Sequence, residues 1–381
     1  MTRPPRLLVV SPIASHPPDQ GNAARLVAFG QEMAARGILC EFLYHTLEGL
    51  QDAQREAMAA FWPVLHLHHA PPLPEPRFPG AWGLDDWCPE GLVERVAVLQ
   101  RRRRYDAVVV NYVWMSRALE GAGEALRILD THDVFGDRHH AARAEGLDPS
   151  WFFTTPEEEA RGLARAELVL AIQAEEAAVL RARGARAVLT LGHAPPPPFL
   201  AEAGAPPAPR ASFGYLGSAN PWNTGSVRAL DAALAEAPEL DWLLAGSILR
   251  RRDLRLRSRP LLLDPLPEAA AFYRAVGCVV NPMTGGTGLK IKTVEALMHG
   301  RPVLGTRDAF AGLPAEHPGH RAADVPALVA LMREHAASAA FRAELARASR
   351  LLALRYAAEV AVQHDALAAL VAGRARGAAP P

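Results

Sequence analysis

Short apolar runs without polar alternation recur along the 381-residue chain, separated by stretches of helical period. RLLVVS (Arg6–Ser11) reads as a strand covered on both faces, and the loop PIASHPPDQGN follows it. Apolar positions return at helical spacing over 23–36, where Gly37 ends the helix, and 38–44 is the next strand. Further helices are expected over 50–60, 91–104, 156–166 and 174–183, and further strands over 105–110, 127–130, 168–172 and 187–191. In the second half, strands are expected over 213–217, 241–246, 278–280 and at Val303-Leu304. Helices are expected there over 227–235, 268–276, 289–298, 325–334, 340–354 and 356–371. Between the halves lies GHAPPPPFLAEAGAPPAPR, an extended, semi-rigid stretch that marks a domain boundary. The resulting division is 1–195, 211–355 and a final helix and tail over 356–381.

The totals exclude several classes. Two domains with full cores fit this length. Lys+Arg and Asp+Glu number 41 each, so no global field draws the chain to nucleic acid. Cys40, Cys88 and Cys278 form no CxxC pair and read as buried, reduced thiols of a cytosolic protein. The N-terminal apolar run is too short for a signal peptide, and no run of about 18 apolar residues occurs. Localisation is therefore expected to be cytoplasmic. Arg101 to Arg104 close a helix, where they offset its dipole. A sharper reading gives them contact with anionic lipid at the inner face of the cell membrane. His66, His68 and His69 lack a fourth ligand, so no metal is expected, and they read as a strand end. Without G-x-G-x-x-G in the opening βαβ unit, a nicotinamide cofactor has little support.

The chemistry concentrates in CVVNPMTGGTGLKIKTVEALMHGRPVLGT, from Cys278 to Thr306. It reads as strand, glycine-rich loop, helix and strand. Gly285, Gly286 and Gly288 allow close backbone approach, and the helix start favours an anion. Lys290 and Lys292 stand in the first turn, where a cation is unfavourable unless something negative lies nearby. They are also the only lysines among the 41 basic residues, so a compact ammonium is needed where guanidinium serves elsewhere. Lys292, Glu295 and His299 share one helix face, opposite Ile291, Val294 and Met298, and point away from the core. Glu295 lies roughly 9 Å along the axis from the turn, in reach of the sugar of a nucleotide whose phosphates occupy it. A carboxylate can accept from both ribose hydroxyls.

The run GGTGLKIKTVEALMHGRPVLGT resembles the nucleotide-sugar signature of GT-B glycosyltransferases, of the retaining family-4 type. The resemblance implies an α/β fold of two Rossmann-like domains facing across a cleft, with a C-terminal helix crossing back to the first. It implies a donor diphosphate near Gly286, Thr287, Gly288, Lys290 and Lys292, and a ribose held by Glu295. Thr287 stands where many relatives carry a Glu that touches the transferred sugar. The resemblance also maps a donor-sugar role onto His132, after the strand RILD, and acceptor-side roles onto Gly21, Asn22 and Arg25; by their position after that strand, Asp133 and Arg138 are assigned to the acceptor side as well. Beside Asp133 the charged form of His132 would be favoured. Glu159 could reach the acceptor but reads better as part of a solvated face. Gly217 and Gly246 end strands at the nucleotide side, and Ser218 and Thr224 stand where relatives place an Arg and a Lys.

The resulting expectation is metal-independent transfer of a sugar from a nucleotide-diphosphate donor to a glycan, lipid-linked or protein hydroxyl. Competing readings are a GT-B epimerase or phosphorylase, and a catalytically silent nucleotide-sugar-binding subunit.

Overall fold

A computed structural model describes residues 3–377, apart from 79, 145, 147, 148, 150, 196–208 and 267. Most of the proline-rich boundary stretch, and the end of the tail from 378, lie outside the described residues. The chain divides into two compact units, Met1–Gly192 with Val360–Pro381, and His193–Glu359.

The first unit holds seven parallel strands: β1 (Arg6–Ser11), β2 (Leu39–His45), β3 (Leu65–His68), β4 (Ala107–Asn111), β5 (Leu126–Asp130), β6 (Leu168–Ala171) and β7 (Val188–Thr190). Their order is β3-β2-β1-β4-β5-β6-β7. Six helices connect them: α1 (Gly21–Ala35), α2 (Asp52–Phe61), α3 (Glu90–Arg103), α4 (Arg138–Ala144), α5 (Pro156–Ala164) and α6 (Ala174–Ala182). The apolar strands are buried because helices cover both faces of a parallel sheet; Leu7 to Val10 and Val108 are fully enclosed. The winding direction reverses between β1 and β4, and in open α/β sheets the carboxyl ends of strands at such a switch point are where ligands bind.

The second unit repeats the plan with β8 (Ala211–Leu216), β9 (Trp242–Ala245), β10 (Leu261–Leu263), β11 (Val276–Asn281) and β12 (Val303–Gly305), in the order β10-β9-β8-β11-β12. Its helices are α7 (Pro221–Ala235), α8 (Ala269–Ala275), α9 (Ile291–Met298), α10 (Val325–Ala337) and the start of α11 (Ala339–Ala375). The switch point lies between β8 and β11, so the loop carrying the two lysines follows one switch strand.

Three expectations need correction. The stretch after β4, left unassigned by its pattern, is a 3₁₀ helix over Val113–Ala122. The helix expected from 227 begins at Pro221, because Asn220 caps the Asn223 N–H and Pro221 occupies the first helical position. The two final helices are one, α11, whose Leu367, Ala368 and Val371 belong to the first unit's core. All three thiols are buried, and burial pushes those of Cys40 and Cys88 up to about 12.

The basic run and the histidines have structural partners. Glu41, fully enclosed, accepts from Arg6 (2.5 Å), Tyr105 Oη (2.7 Å) and Arg103 (3.1 Å), and lies 2.9 Å from His66 Nε2. Burial opposes its charge, yet the His66, Tyr105, Arg6 and Arg103 bonds bring it down to about 2. His68 pairs with His45 at 2.9 Å.

Gly121 shows how tightly the 3₁₀ helix seats on α3: a Cβ there would lie 2.4 Å from the Val93 carbonyl and 2.9 Å from the Ala97 nitrogen. Gly121→Ala is expected to destabilise the first unit by about 1–3 kcal/mol, measured by urea unfolding. An unchanged midpoint would contradict that packing.

Candidate functional site

In the second unit, residues from four segments meet at the switch point. Lys292 Nζ donates to Tyr215 Oη at 2.7 Å and to Asn223 Oδ1, and lies 4.6 Å from the centre of the Tyr215 ring. Tyr215 Oη itself donates to Asn223 Oδ1 at 2.9 Å. Burial and the nearby Lys290 charge bring Lys292 down to about 7, with Glu295 opposing. Glu295 accepts from Tyr273 Oη at 3.2 Å, and the Tyr273 ring stacks on His299 at 4.4 Å. Burial raises Glu295 to about 7 against the pull of Tyr273 and Lys292. Desolvation thus works against the charge on both groups of this face. The expected face is present, but it is lined by aromatic partners and does not point freely into water.

Lys290 does something different from what its spacing implies. The residue is buried, and its ammonium donates to the carbonyls of Gly286 (3.0 Å), Thr287 (3.3 Å) and Gly288 (2.8 Å). A trans peptide sets N–H opposite C=O. Drawing three successive carbonyls inward therefore turns the amides of Thr287, Gly288 and Leu289 away from the ammonium. Lys290 shapes the loop, while Gly286 and Thr287 are exposed at its tip. Gly286 and Gly288 have φ of 84° and 75°, which the turn requires. The loop packs on Trp222, since a Cβ on Gly285 would come within 2.6 Å of that indole.

Gly217 and Gly246 have a packing role: a Cβ on Gly246, whose φ is 97°, would lie 2.4 Å from the Gly217 carbonyl. Ser218 accepts from Asn223 Nδ2 at 2.9 Å, and Thr224 donates to the Asn220 carbonyl within α7.

The first unit has its own cluster at the carboxyl ends of β4 and β5. Asn111 donates its amide to the Val10 carbonyl at 2.9 Å, so its oxygen faces His132 Nε2 at 2.7 Å. That nitrogen must carry the proton, and Nδ1 keeps its lone pair. His132 adopts φ 58° and stacks on Tyr112 at 4.4 Å. Burial brings His132 down to about 4; Asp130 opposes this and Arg25 reinforces it. The expected favouring of its charged form is therefore overturned. Asp133 accepts from the Val134 N–H and pairs with Arg138 at 3.3 Å.

Arg25 is also corrected. It is buried, forms two 3.0 Å bonds to Asp130, and donates to the Leu191 and Gly192 carbonyls, which leaves no reach toward an acceptor. Burial works against the Asp130 charge, but Arg25 and His132 hold its pKa below the usual carboxylate range. Gly21 and Asn22 open α1, and Asn22 lies near the Tyr112 hydroxyl, on the side of the ring that stacks on His132. Glu159 is fully enclosed and not on a solvated face; it accepts from the Phe135 and Gly136 N–H groups and pairs with Arg183.

Among the described residues, Asp137, His139 and His140 bring potential metal-ligand atoms within 4.8 Å of one another, with Asp137 and His140 exposed. Trp222, Tyr215 and Tyr273 were missed by sequence reasoning. The only signal was an aromatic at the end of β8 and another, after Asn220-Pro221, at the start of α7.

Stability should report the desolvated pair. Between about 7 and the ordinary 10.5, the unfolded chain holds the Lys292 proton that the folded chain has lost, so stability rises with pH there. Between the ordinary 4.5 and about 7, the folded chain holds a Glu295 proton that the unfolded chain has lost, so stability falls as pH rises. Lys292→Met leaves Asn223 Oδ1 its bond from Tyr215. It is expected to raise the urea midpoint at pH 7 and to flatten the rise above it. Glu295→Gln should flatten the fall below pH 7. Identical curves at pH 5, 7 and 9 for wild type and both variants would show that neither charge is desolvated.

No protein-family model matches the chain, and no curated protein matches its sequence. Solved structures do share its fold. Sucrose-phosphate synthase from Thermosynechococcus elongatus is 17% identical with a TM-score of 0.67, over 96% of this chain and 98% of that one. HepE of Anabaena, in complex with UDP-glucose, is 16% identical with a TM-score of 0.65, over 96% of this chain and all of that one. A Thermobaculum terrenum O-GlcNAc transferase variant is 13% identical with a TM-score of 0.56, over 99% of this chain and 69% of that one. At these identities the likeness is one of fold. The architecture is that of GT-B proteins, with a last helix that returns to the first unit.

Proposed function

We propose that the chain is a glycosyltransferase that moves a sugar from a nucleoside-diphosphate donor to a hydroxyl acceptor and, by its family-4 resemblance, does so with retention. The observation that carries the reading is Lys292, bonded to Tyr215 and Asn223, on one helix face three residues before Glu295, which Tyr273 bonds, at the switch point of the second unit. A desolvated ammonium gains most from a dianionic partner, and a bound diphosphate supplies one. Leaving-group charge on the diphosphate is then met by Lys292 and the outward amides of the glycine loop, electrostatic stabilisation that needs no metal. Lys290 positions those amides. Glu295, ionised once Lys292 is charged, accepts from the ribose hydroxyls. UDP and UDP-glucose in the solved structures of similar fold support a nucleotide sugar as donor.

In the first unit, His132 accepts a sugar hydroxyl's hydrogen bond at Nδ1, and Gly21, Asn22, Asp133 and Arg138 serve the acceptor, whether glycan, lipid-linked or protein. Thr287 favours one second reading, a silent nucleotide-sugar-binding subunit, because the expected carboxylate toward the transferred sugar is absent.

A thermal-shift series with nucleoside diphosphates and their sugars tests the assignment. One nucleotide should raise Tm in wild type by RT ln(1 + [L]/Kd), with most of the shift lost in Lys292→Met and Glu295→Ala. Binding should also take up protons at pH 8, where Glu295 is already largely ionised and the diphosphate raises the Lys292 pKa; calorimetry in buffers of different ionisation enthalpy reads this. Equal shifts in wild type and variants would remove the site. Tight binding with neither transfer nor donor hydrolysis would select the silent subunit.

A further inference from the structure

The segment between β9 and β10 has no part in the chemistry above, yet it is strongly basic. Residues 250–259 contain six arginines and one acid, Asp253, in a protein of zero net charge. Arg251 and Arg228 both pair with Asp253, at 2.7 and 2.8 Å. Arg250, Arg252, Arg255, Arg257 and Arg259 are exposed and make no ion pair among the described residues.

The row is built and held in place. From Leu254 the chain alternates. Leu254 and Leu256 pack against the second unit's core. Ser258 donates to buried Asp231 at 2.6 Å and accepts from Trp242 Nε1 at 3.0 Å. Asp231 also accepts from the Arg257 and Ser258 N–H groups at 2.9 and 3.0 Å. With the even-numbered residues turned inward, Arg255, Arg257 and Arg259 are left on the outer side of a segment that bends at Arg257 and Ser258, with Arg259 at φ 54°. The outward row then runs into Leu261 and Leu262, 47% and 57% exposed, on β10, the edge strand of the sheet.

A fixed row of guanidinium groups calls for a polyanion, and the adjoining leucines decide which kind. Exposed leucine gains nothing from a phosphodiester chain in water, whereas at a bilayer it enters the acyl boundary while arginine meets the headgroup phosphates. We propose that this face of the second unit docks on an anionic membrane surface, Arg255, Arg257 and Arg259 engaging lipid phosphates and Leu261 and Leu262 entering the interface. It is separate from the Arg101 to Arg104 run, part of which is tied to Glu41.

Co-sedimentation with large unilamellar vesicles tests this, comparing 30% phosphatidylglycerol in phosphatidylcholine with phosphatidylcholine alone. Wild type should sediment only with the anionic vesicles, and less in 0.5 M than in 0.1 M salt. At about fivefold per charge, Arg255→Gln/Arg257→Gln/Arg259→Gln should bind about a hundredfold more weakly, and Arg250→Gln/Arg252→Gln should be weakened to a smaller degree. Leu261→Ser/Leu262→Ser should weaken binding at both salt concentrations. Circular dichroism checks that each variant is folded. Three results would overturn the proposal: no sedimentation with anionic vesicles, unchanged binding in the triple arginine variant, or leucine variants that bind normally while wild type binds single-stranded RNA more tightly than vesicles.

Discussion

Lys292 is held over the Tyr215 ring, bonded to that phenol and to Asn223, in surroundings that bring its pKa to about 7. A charge kept where it is costly must be stabilised by something else in the working state. The rest of the second unit's switch point follows from that requirement. Asn223 is fixed at the start of α7 by the Asn220 cap, Tyr215 by its place on β8, and the lysine by an eight-residue helix opening directly from the glycine loop. Glu295, on the same helix, is pushed the opposite way, so near neutrality the pair can exchange charge for proton at little cost. The arrangement suits a ligand that arrives with two negative charges.

The first unit solves a related problem by fixing a tautomer. Asn111, oriented by the Val10 carbonyl, commits the Nε2 proton of His132 and leaves the other ring nitrogen as an acceptor. Burial keeps the imidazole neutral although a carboxylate oxygen lies 3.7 Å away, and Arg25, bonded to that carboxylate, reinforces it. Asp133, the acid beside it in sequence, has little influence because it is bonded to the Val134 N–H and paired with Arg138.

Much of the architecture was legible because parallel strands buried on both faces leave unbroken apolar runs, and RLLVVS is recovered with the expected bounds. The lysine pair was legible as well, through its isolation in an arginine-rich chain. Less visible was anything supplied by distant segments. Lys290 and Lys292 look equivalent by spacing, yet one folds back on its own loop and the other reaches across to β8 and α7. The aromatic lining of the Glu295 face comes from residues about 20 and 80 positions away, and no local pattern announces it. Glu159 looked solvated because it ends a triplet of acids. Its burial is dictated by two loop N–H groups that would otherwise lack an acceptor.

The last turns of α11 have a consequence for biosynthesis. Leu367, Ala368 and Val371 fill part of the first unit's core, although that unit's strands are encoded before residue 192. A ribosome at about 5–20 residues per second needs of the order of ten to thirty seconds to make the intervening 193–359 stretch. Throughout that interval the nascent first unit has its sheet but not its closing helix, with an apolar slot open to solvent and to chaperones. Its completion is thereby timed to the synthesis of α11.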